Sequence, residues 1–510
     1  MDPQQRLVLE LTREALQDSG AERRPFLHER SAVFLGASVT EFCQVSIMKV
    51  RLQQMQEGEF GPVPPDDVMD GLMSRWPELN AYSLAGGMTN AIASNVAQFF
   101  KLGGPALTSD AACASAVMAV MQACHYLRSL PPRKDVSPLA VSGGVYLLLN
   151  PENTIAFAKG SALAEKECRP FDHQADGFIL GEGAGVFILK RVEDAVADGD
   201  RIYAVIKGGA WGNDAGTTSP MTPSQVGQAR LLRLGLESAE TEPSEVGYVE
   251  CQGTGAPAGD HTELAALHEV WRGERRPVLG SVKANFGHTV SAAGAAGLLR
   301  ACMALHSRTL PPQAAWSGWH PKLEGLSDKF RMITEPENWE GQTTATVSAF
   351  GFGGTNGFLV LKAAPPLPPA PPRGPYFLPV SAPDLGLLKE HLCELMEVPS
   401  DLDGVSSSLR LRQAQEYTLL ARVKDRAEWK RMVQDVLTLS QDNDEIEFKG
   451  YLLGSTDRLN ELDLSDWRKE LMWLKPEAKV KVMQTSCSLP PSPLVRRSLW
   501  PLERLPGPQS

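Results

Sequence analysis

Cys113 lies in the stretch DAACASAVMAV, where a polar turn gives way to an Ala- and Met-rich helical run, so its thiol falls at or near a helix N-terminus. Unpaired N–H groups and the macrodipole favour a thiolate there, and small neighbours leave room for a bulky substrate. A buried cysteine at a tight helix contact fits the same residues equally well. A second stretch, SVKANFGHTVSAAGAAG, carries Lys283 and His288. A histidine after Gly at a strand-to-helix turn can donate from Nε2 into a cleft, with Lys283 setting the local field; standing alone it is more often a satisfied core histidine. In SAFGFGGTNG, Ser348 to Gly357, the glycines permit tight turns and the close backbone approach that an oxyanion hole of main-chain N–H donors requires. Asn356 stands where a dinucleotide GxGxxG loop would need its last Gly, so a nucleotide site is not indicated. The fourth stretch, GYVECQGTGAPAGD, reads as a strand running into a glycine loop that presents one polar side chain. That side chain is Gln252, which neither gains nor loses a proton at neutral pH.

These stretches need a scaffold. From about Ser31 to Lys362, short apolar and β-branched runs (SAVFLGAS, PLAVSGGV, GVFILKRV, RIYAVIKGGA, VGYVECQ, PVLGSVK, ATVSAFGF, NGFLVLK) alternate with small-residue or amphipathic helical stretches. The pattern is α/β, with several strands apolar on both faces and so buried between helix layers. Glycines gather where the strands end, which is where such folds build sites. The closely spaced prolines of AAPPLPPAPPRGP mark a domain boundary: residues 1–363 form the main domain and 364–375 an extended connector. Residues 376–475 then form a small α/β subdomain, with helical spacing in DLGLLKEHLCELMEV and RAEWKRMVQDVLTLS and a short strand in FKGYLLG. Residues 476–510 are a proline-rich tail or a strap laid over another domain.

The bulk numbers exclude several classes. With 510 residues and 43% hydrophobic content the chain can bury a large core. A net charge of −11 argues against a nucleic-acid or anionic-membrane binder. No apolar run is long enough to span a bilayer, the best candidate being broken by Arg300, and no signal peptide opens the chain, so a cytoplasmic location is expected. The eight cysteines form no CxxC pair and read as reduced thiols with no metal site.

In order and spacing, DAACASA, CRPFDHQADGFILGEGAG, YVECQGTGAPAGD, SVKANFGHTVSAAGAAG and SAFGFGGTNG resemble the β-ketoacyl synthase domain of modular polyketide synthases. The resemblance covers Met1 to about Lys362. The remainder looks like the linker subdomain that follows such ketosynthases, with WPLERLP as the strap. With no acyltransferase sequence after it, the chain is similar to assembly lines whose acyltransferase acts in trans. The resemblance implies a thiolase-like fold of two pseudo-symmetric α/β halves in five layers, normally a homodimer. It makes Cys113 the nucleophile that takes an acyl chain from the phosphopantetheine arm of an acyl carrier protein. It also makes His288 and Lys283 the histidine and lysine of the second motif, and the main-chain N–H groups of Cys113 and Phe352 the oxyanion hole. No bound cofactor or metal is implied; phosphopantetheine arrives on the partner. Candidate carrier-docking residues are Arg410 with Arg412, or Arg496 with Arg497, although ordinary solvated charges account for them as readily.

The chain departs from the family pattern in two places. Its opening, MDPQQRLVLELTREALQDSG, matches a segment inside the family's domain, so the first strand is expected to be missing. And Gln252 stands where the family has the first of two histidines that activate a malonyl thioester. Losing one such donor typically costs ~10²–10³ in rate. The expectation is a domain that loads acyl groups without extending them. The alternatives are a condensing enzyme that uses the Gln252 amide as donor, and a folded platform without covalent chemistry.

Overall fold

The computed structural model describes residues 1–456 apart from 39–40, 75–79, 133–134, 218, 220, 273–275, 342, 366–374, 440–444 and 449–450. Two sheets form its main body. The first contains β1 (Ala32–Gly36), β2 (Ala106–Ser109), β3 (Ala140–Tyr146) and β4 (Gly183–Leu189), in the order β2-β1-β3-β4. The second draws on β5 (Ala204–Asn213), β6 (Val246–Glu250), β7 (Val278–Gly280), β10 (Thr344–Phe350) and β11 (Thr355–Ala363), in the order β5-β11-β10-β6-β7. A small hairpin of β8 (Thr309–Leu310) and β9 (Glu337–Asn338) lies outside both.

The sheets repeat one plan. In each, three neighbours run parallel (β2, β1, β3 and β7, β6, β10) and the next strand, β4 or β11, is antiparallel. Only the second sheet has a fifth strand, β5, added antiparallel on β11. Among the described residues the corresponding edge of β4 carries no strand, and every residue of β4 is only half-buried.

Helices fill the layers between and outside. Pro3–Asp18 and Ala91–Phe99 cover the outer face of the first sheet, and Gln225–Ser238 with Pro257–Val270 that of the second. Ser115–Ser129 and Ala293–Ser307 lie between the sheets and touch both. This middle layer is why their sequences are so rich in Ala and Gly: a helix pressed between two sheets has little room for side chains. A Cβ on Gly294 would sit 2.8 Å from a Val117 methyl, and one on Gly144 of β3 would sit 2.7 Å from Ala116 Cβ. All seven residues of β3 are buried, which accounts for its small and apolar residues with Ser142 the one hydroxyl among the first six.

After the connector, β12 (Tyr376–Ala382), β13 (Tyr417–Val423), β14 (Glu445–Phe448) and β15 (Tyr451–Ser455) form an antiparallel sheet in the order β12-β13-β15-β14. FKGYLLG, expected as one short strand, is divided between β14 and β15, with Phe448 paired to Tyr451. Asp384, Asp401 and Asp425 each cap a helix here by accepting the N–H three residues on, at 2.8 Å. Leu388, Leu392, Trp429 and Val433 build a core of its own. The subdomain docks on the loop after the first helix: Arg23 Nε donates to the Arg412 carbonyl (3.2 Å), and the Gln413 N–H donates to Glu22 (3.2 Å). Arg412 is therefore not a docking residue. Its guanidinium is buried and donates to His391 Nε2 at 3.1 Å. Most of the expected connector, the strap, Arg496 and Arg497 lie outside the described residues.

Candidate active site

The two middle-layer helices begin at the same place, and each is preceded by a single 3₁₀ turn, Ala112–Ala114 or Val290–Ala292. Cys113 occupies the first. The approach to it is held by short local bonds: Asp110 accepts the Ala112 N–H (2.9 Å), while Ser115 Oγ accepts the Ala111 N–H (2.8 Å) and donates to the Ala112 carbonyl (2.6 Å). These bonds hold Ala112 at φ +48°, a region an L-residue rarely enters.

His288 is fixed from the other half. Gly287 turns the chain at φ +74°, where a Cβ would come within 2.8 Å of the Ile179 carbonyl. The His288 N–H donates to that carbonyl (2.6 Å), and its own carbonyl accepts from Gly181 (3.0 Å). So GFILGEG, which carries no reactive group of its own, clamps the histidine backbone. The Val290 N–H donates to His288 Nδ1 at 3.2 Å, which puts the ring proton on Nε2, and Nε2 stands 3.1 Å from Cys113 Sγ. Burial and then the charge of Lys283 hold His288 well below the usual imidazole range. The imidazole is thus a neutral donor aimed at sulfur. Phe178 packs edge-on against it, 5.2 Å between ring centres, and continues through Phe157 to the half-exposed Phe352.

Burial pushes the Cys113 thiol up, opposed by the positive charge of Lys283 and by the main-chain N–H groups of Phe352 and Cys113 itself. Those N–H groups are the pair expected for an oxyanion hole. At Cys168 and Cys302 burial outweighs everything else, and both thiols are pushed up to about 12. They are inert core thiols.

Gln252, buried, follows the end of β6 by two residues and lies close to Lys283, whose Nζ donates to Gln252 Oε1 at 3.4 Å. What holds this loop was not foreseen. Glu263 accepts the N–H groups of Gln252 (2.8 Å) and Gly253 (2.7 Å), and Asp260 those of Thr254 (3.1 Å) and Gly255 (3.2 Å). Four successive N–H groups thus hang from two carboxylates one helical turn apart on Pro257–Val270. The signal was present in GDHTE, two acids three residues apart just after the glycine loop. Burial raises Asp260 to about 6 and Glu263 to about 7. Glu250 similarly accepts the Val282 N–H (2.7 Å) and pairs with Arg300 (3.5 Å), tying the turn before Lys283 to β6.

A thiol at a helix start, a neutral imidazole donor, two main-chain N–H donors and a buried ammonium make a site for acyl transfer through a thioester. Models of the β-ketoacyl synthase N-terminal and C-terminal domains match residues 1–195 and 203–317. The chain belongs to the β-ketoacyl synthase family. This ketosynthase is 34% identical over 380 residues to one polypeptide of the phenolphthiocerol/phthiocerol polyketide synthase of Mycobacterium tuberculosis, matching 73% of the chain and 23% of that protein. It is 36% identical over 382 residues to another polypeptide of the same synthase, matching 73% of the chain and 19% of that protein. The chain therefore spans less than a quarter of the length of these curated relatives. Among solved structures, the oxazolomycin ketosynthase domain of Streptomyces albus JA3453 superposes with TM-score 0.81 at 25% identity, covering 98% of this chain and 84% of that one. The ketosynthase from module 6 of the bacillaene synthase of Bacillus subtilis 168 superposes with TM-score 0.78 at 26% identity, covering 98% and 86%. The fold is thiolase-like, as expected. Among the described residues no helix is long and apolar enough to cross a membrane.

Proposed function

We propose that this ketosynthase takes an acyl chain from the phosphopantetheine thiol of an acyl carrier protein onto Cys113 and passes it on without extending it. The observation that carries the reading is the asymmetry of the site: one imidazole, His288, lies 3.1 Å from Cys113 Sγ, while Gln252 replaces the other. In the loading step the Cys113 thiolate attacks the thioester carbonyl. The main-chain N–H groups of Cys113 and Phe352 receive the oxyanion, and collapse of the adduct expels the pantetheine thiolate, which gains the proton that Cys113 lost. Extension would further require a group that activates a second thioester for loss of carbon dioxide. An amide in place of an imidazole lowers that step by roughly 10²–10³.

The expected partners are an acyl carrier protein, loaded by an acyltransferase acting in trans, and a second copy of the chain. A homodimer is supported by β2, an edge strand whose Leu107 is 51% exposed. The test is intact-mass analysis. Incubation with acetyl-pantetheine should add one acyl group, lost in Cys113→Ala. Malonyl carrier protein supplied next should give no β-keto product with the native chain, and a measurable amount with Gln252→His. No acylation of Cys113 would overturn the reading in favour of a folded platform, and a normal rate of extension in favour of a condensing enzyme.

A further inference from the structure

The two halves of the main body differ at one place. Ser115–Ser129 and Ala293–Ser307 are both middle-layer helices of 15 residues, so Leu299 and Met303, the seventh and eleventh residues of one, hold the places of Met121 and His125 in the other. In the second half β5 covers those places. A Cβ on Gly209 would sit 3.0 Å from Met121 Sδ, and the Trp211 ring meets His125 edge-on, 4.8 Å between centres. Met121 is accordingly only 4% exposed. In the first half the edge of β4 carries no strand among the described residues, and Leu299 is 50% and Met303 44% exposed. A helix of the middle layer thus shows two large apolar side chains beside an unpaired strand edge.

The opening has walls and an end. Ala184, Val186 and Ile188 of β4 pack with Val8 and Leu16 of the outer helix, whereas Phe187 and Leu189 pack into the middle layer. A strand added to this edge would lie between the same two layers and must be apolar on both faces, as β5 is in AVIKGGA. Away from Cys113, Arg201 and Tyr203 link the two helices. Arg201 Nη2 donates to the Asp18 carbonyl at the end of the outer helix (3.0 Å), its guanidinium lies over the Tyr203 ring (4.7 Å), and Tyr203 meets His306 of the middle helix (5.1 Å). The Arg201 side chain is 9% exposed, yet its Nε and Nη1 are sealed from solvent with no hydrogen-bond partner among the described residues. Buried donors left so call for acceptors, which the carbonyls of an entering backbone supply.

We propose that the edge of β4 is a docking site for one extended strand of a different polypeptide, as long as β4 and apolar on both faces. The strand pairs antiparallel with β4, covers Leu299 and Met303, and accepts hydrogen bonds from Arg201. No described residue of this chain fills the place, and a second copy would bring its own walling helices against this pair.

The probe is a synthetic peptide with the sequence of β5, AVIKGGAWGN, the strand that fills the equivalent place, added in excess to the full chain. In the chain alone, the amides of Gly183–Leu189 that β3 leaves unpaired should exchange hydrogen freely by mass spectrometry. The peptide should protect them and raise the melting temperature. The same peptide carrying Gly209→Pro should protect less, because proline cannot donate to the ladder. Leu299→Asp should weaken binding about fivefold or more, as expected for losing the burial of half a leucine side chain. Arg201→Met should weaken it about fivefold, as expected for a lost hydrogen bond. Melting curves without peptide confirm that both variants fold. Absence of protection overturns the proposal, as does binding unchanged in Leu299→Asp or in Arg201→Met. Protection already present in the chain alone overturns it too: in a monomer the chain's own residues then fill the edge, and in a dimer, read by light scattering, a second copy does.

Discussion

At the scale of single residues, the site sets two titrations against habit. Burial raises the Cys113 thiol, so the thiolate is scarce at neutral pH and its fraction grows as the pH climbs. The rate of Cys113 acylation should therefore keep rising with pH from 5.5 to 9. It should show no inflection near 6.5, because His288 stays neutral there. A rapid-quench mass assay across that range measures both. Glu263 offers a stability test. Its carboxyl is held at about 7 against an ordinary 4.5, so the folded chain keeps a proton that the unfolded chain has already lost. Its contribution is fully favourable below pH 4.5 and declines as the pH rises to 7. Relative to Glu263→Gln, the native protein should gain melting temperature as the pH is lowered through that window, and the difference should be flat outside it. These effects were not legible in the sequence. The types and spacing of Cys113, Lys283 and His288 named the chemistry, whereas the direction of each shift depends on which groups become buried together.

Among elements, the meeting of two helix starts makes the site, and glycines control how closely they meet. A Cβ on Gly36 of β1 would lie 2.4 Å from the Ser115 carbonyl carbon and 2.5 Å from the Ala116 nitrogen. Gly36→Ala should push the helix Ser115–Ser129 off its sheet, destabilising the protein by about 1–3 kcal/mol. Acylation should slow as well, because Cys113 moves with the helix start; thermal unfolding and mass spectrometry check the two effects. The elements themselves were mostly readable. All eight apolar runs of the main domain became strands, and both helical patterns in the linker became helices behind aspartate caps. Two readings failed for local reasons. β2, Ala106–Ser109, was missed because four residues of an edge strand carry too little pattern. FKGYLLG was read as one strand because its apolar residues, on both sides of Lys449-Gly450, make so short a run.

For the molecule as a whole, the free edge of β2 and the exposed Leu107 give the surface on which a second copy is expected. Leu107→Lys should convert a dimer to a monomer in light scattering coupled to size exclusion, since a charge on an edge strand opposes pairing. The linker subdomain is joined by polar bonds from Arg23 and Glu22 to residues 412 and 413, and that contact removes Arg412 from the surface where sequence alone had placed it. An arginine two positions from another reads as a basic patch until the fold turns one of them inward. What the sequence determined by itself is the chemistry that a strand-end cysteine, histidine, lysine and glycine loop can support, together with the loss of one imidazole at Gln252, because residue types and local spacing are properties of the chain. Only the tertiary structure decided that His288 Nε2 faces a sulfur 175 residues away, that the Gln252 amide oxygen meets Lys283, 31 residues on, and that two carboxylates of the following helix suspend the Gln252 loop, because each depends on how the folded elements bring those groups within hydrogen-bonding distance.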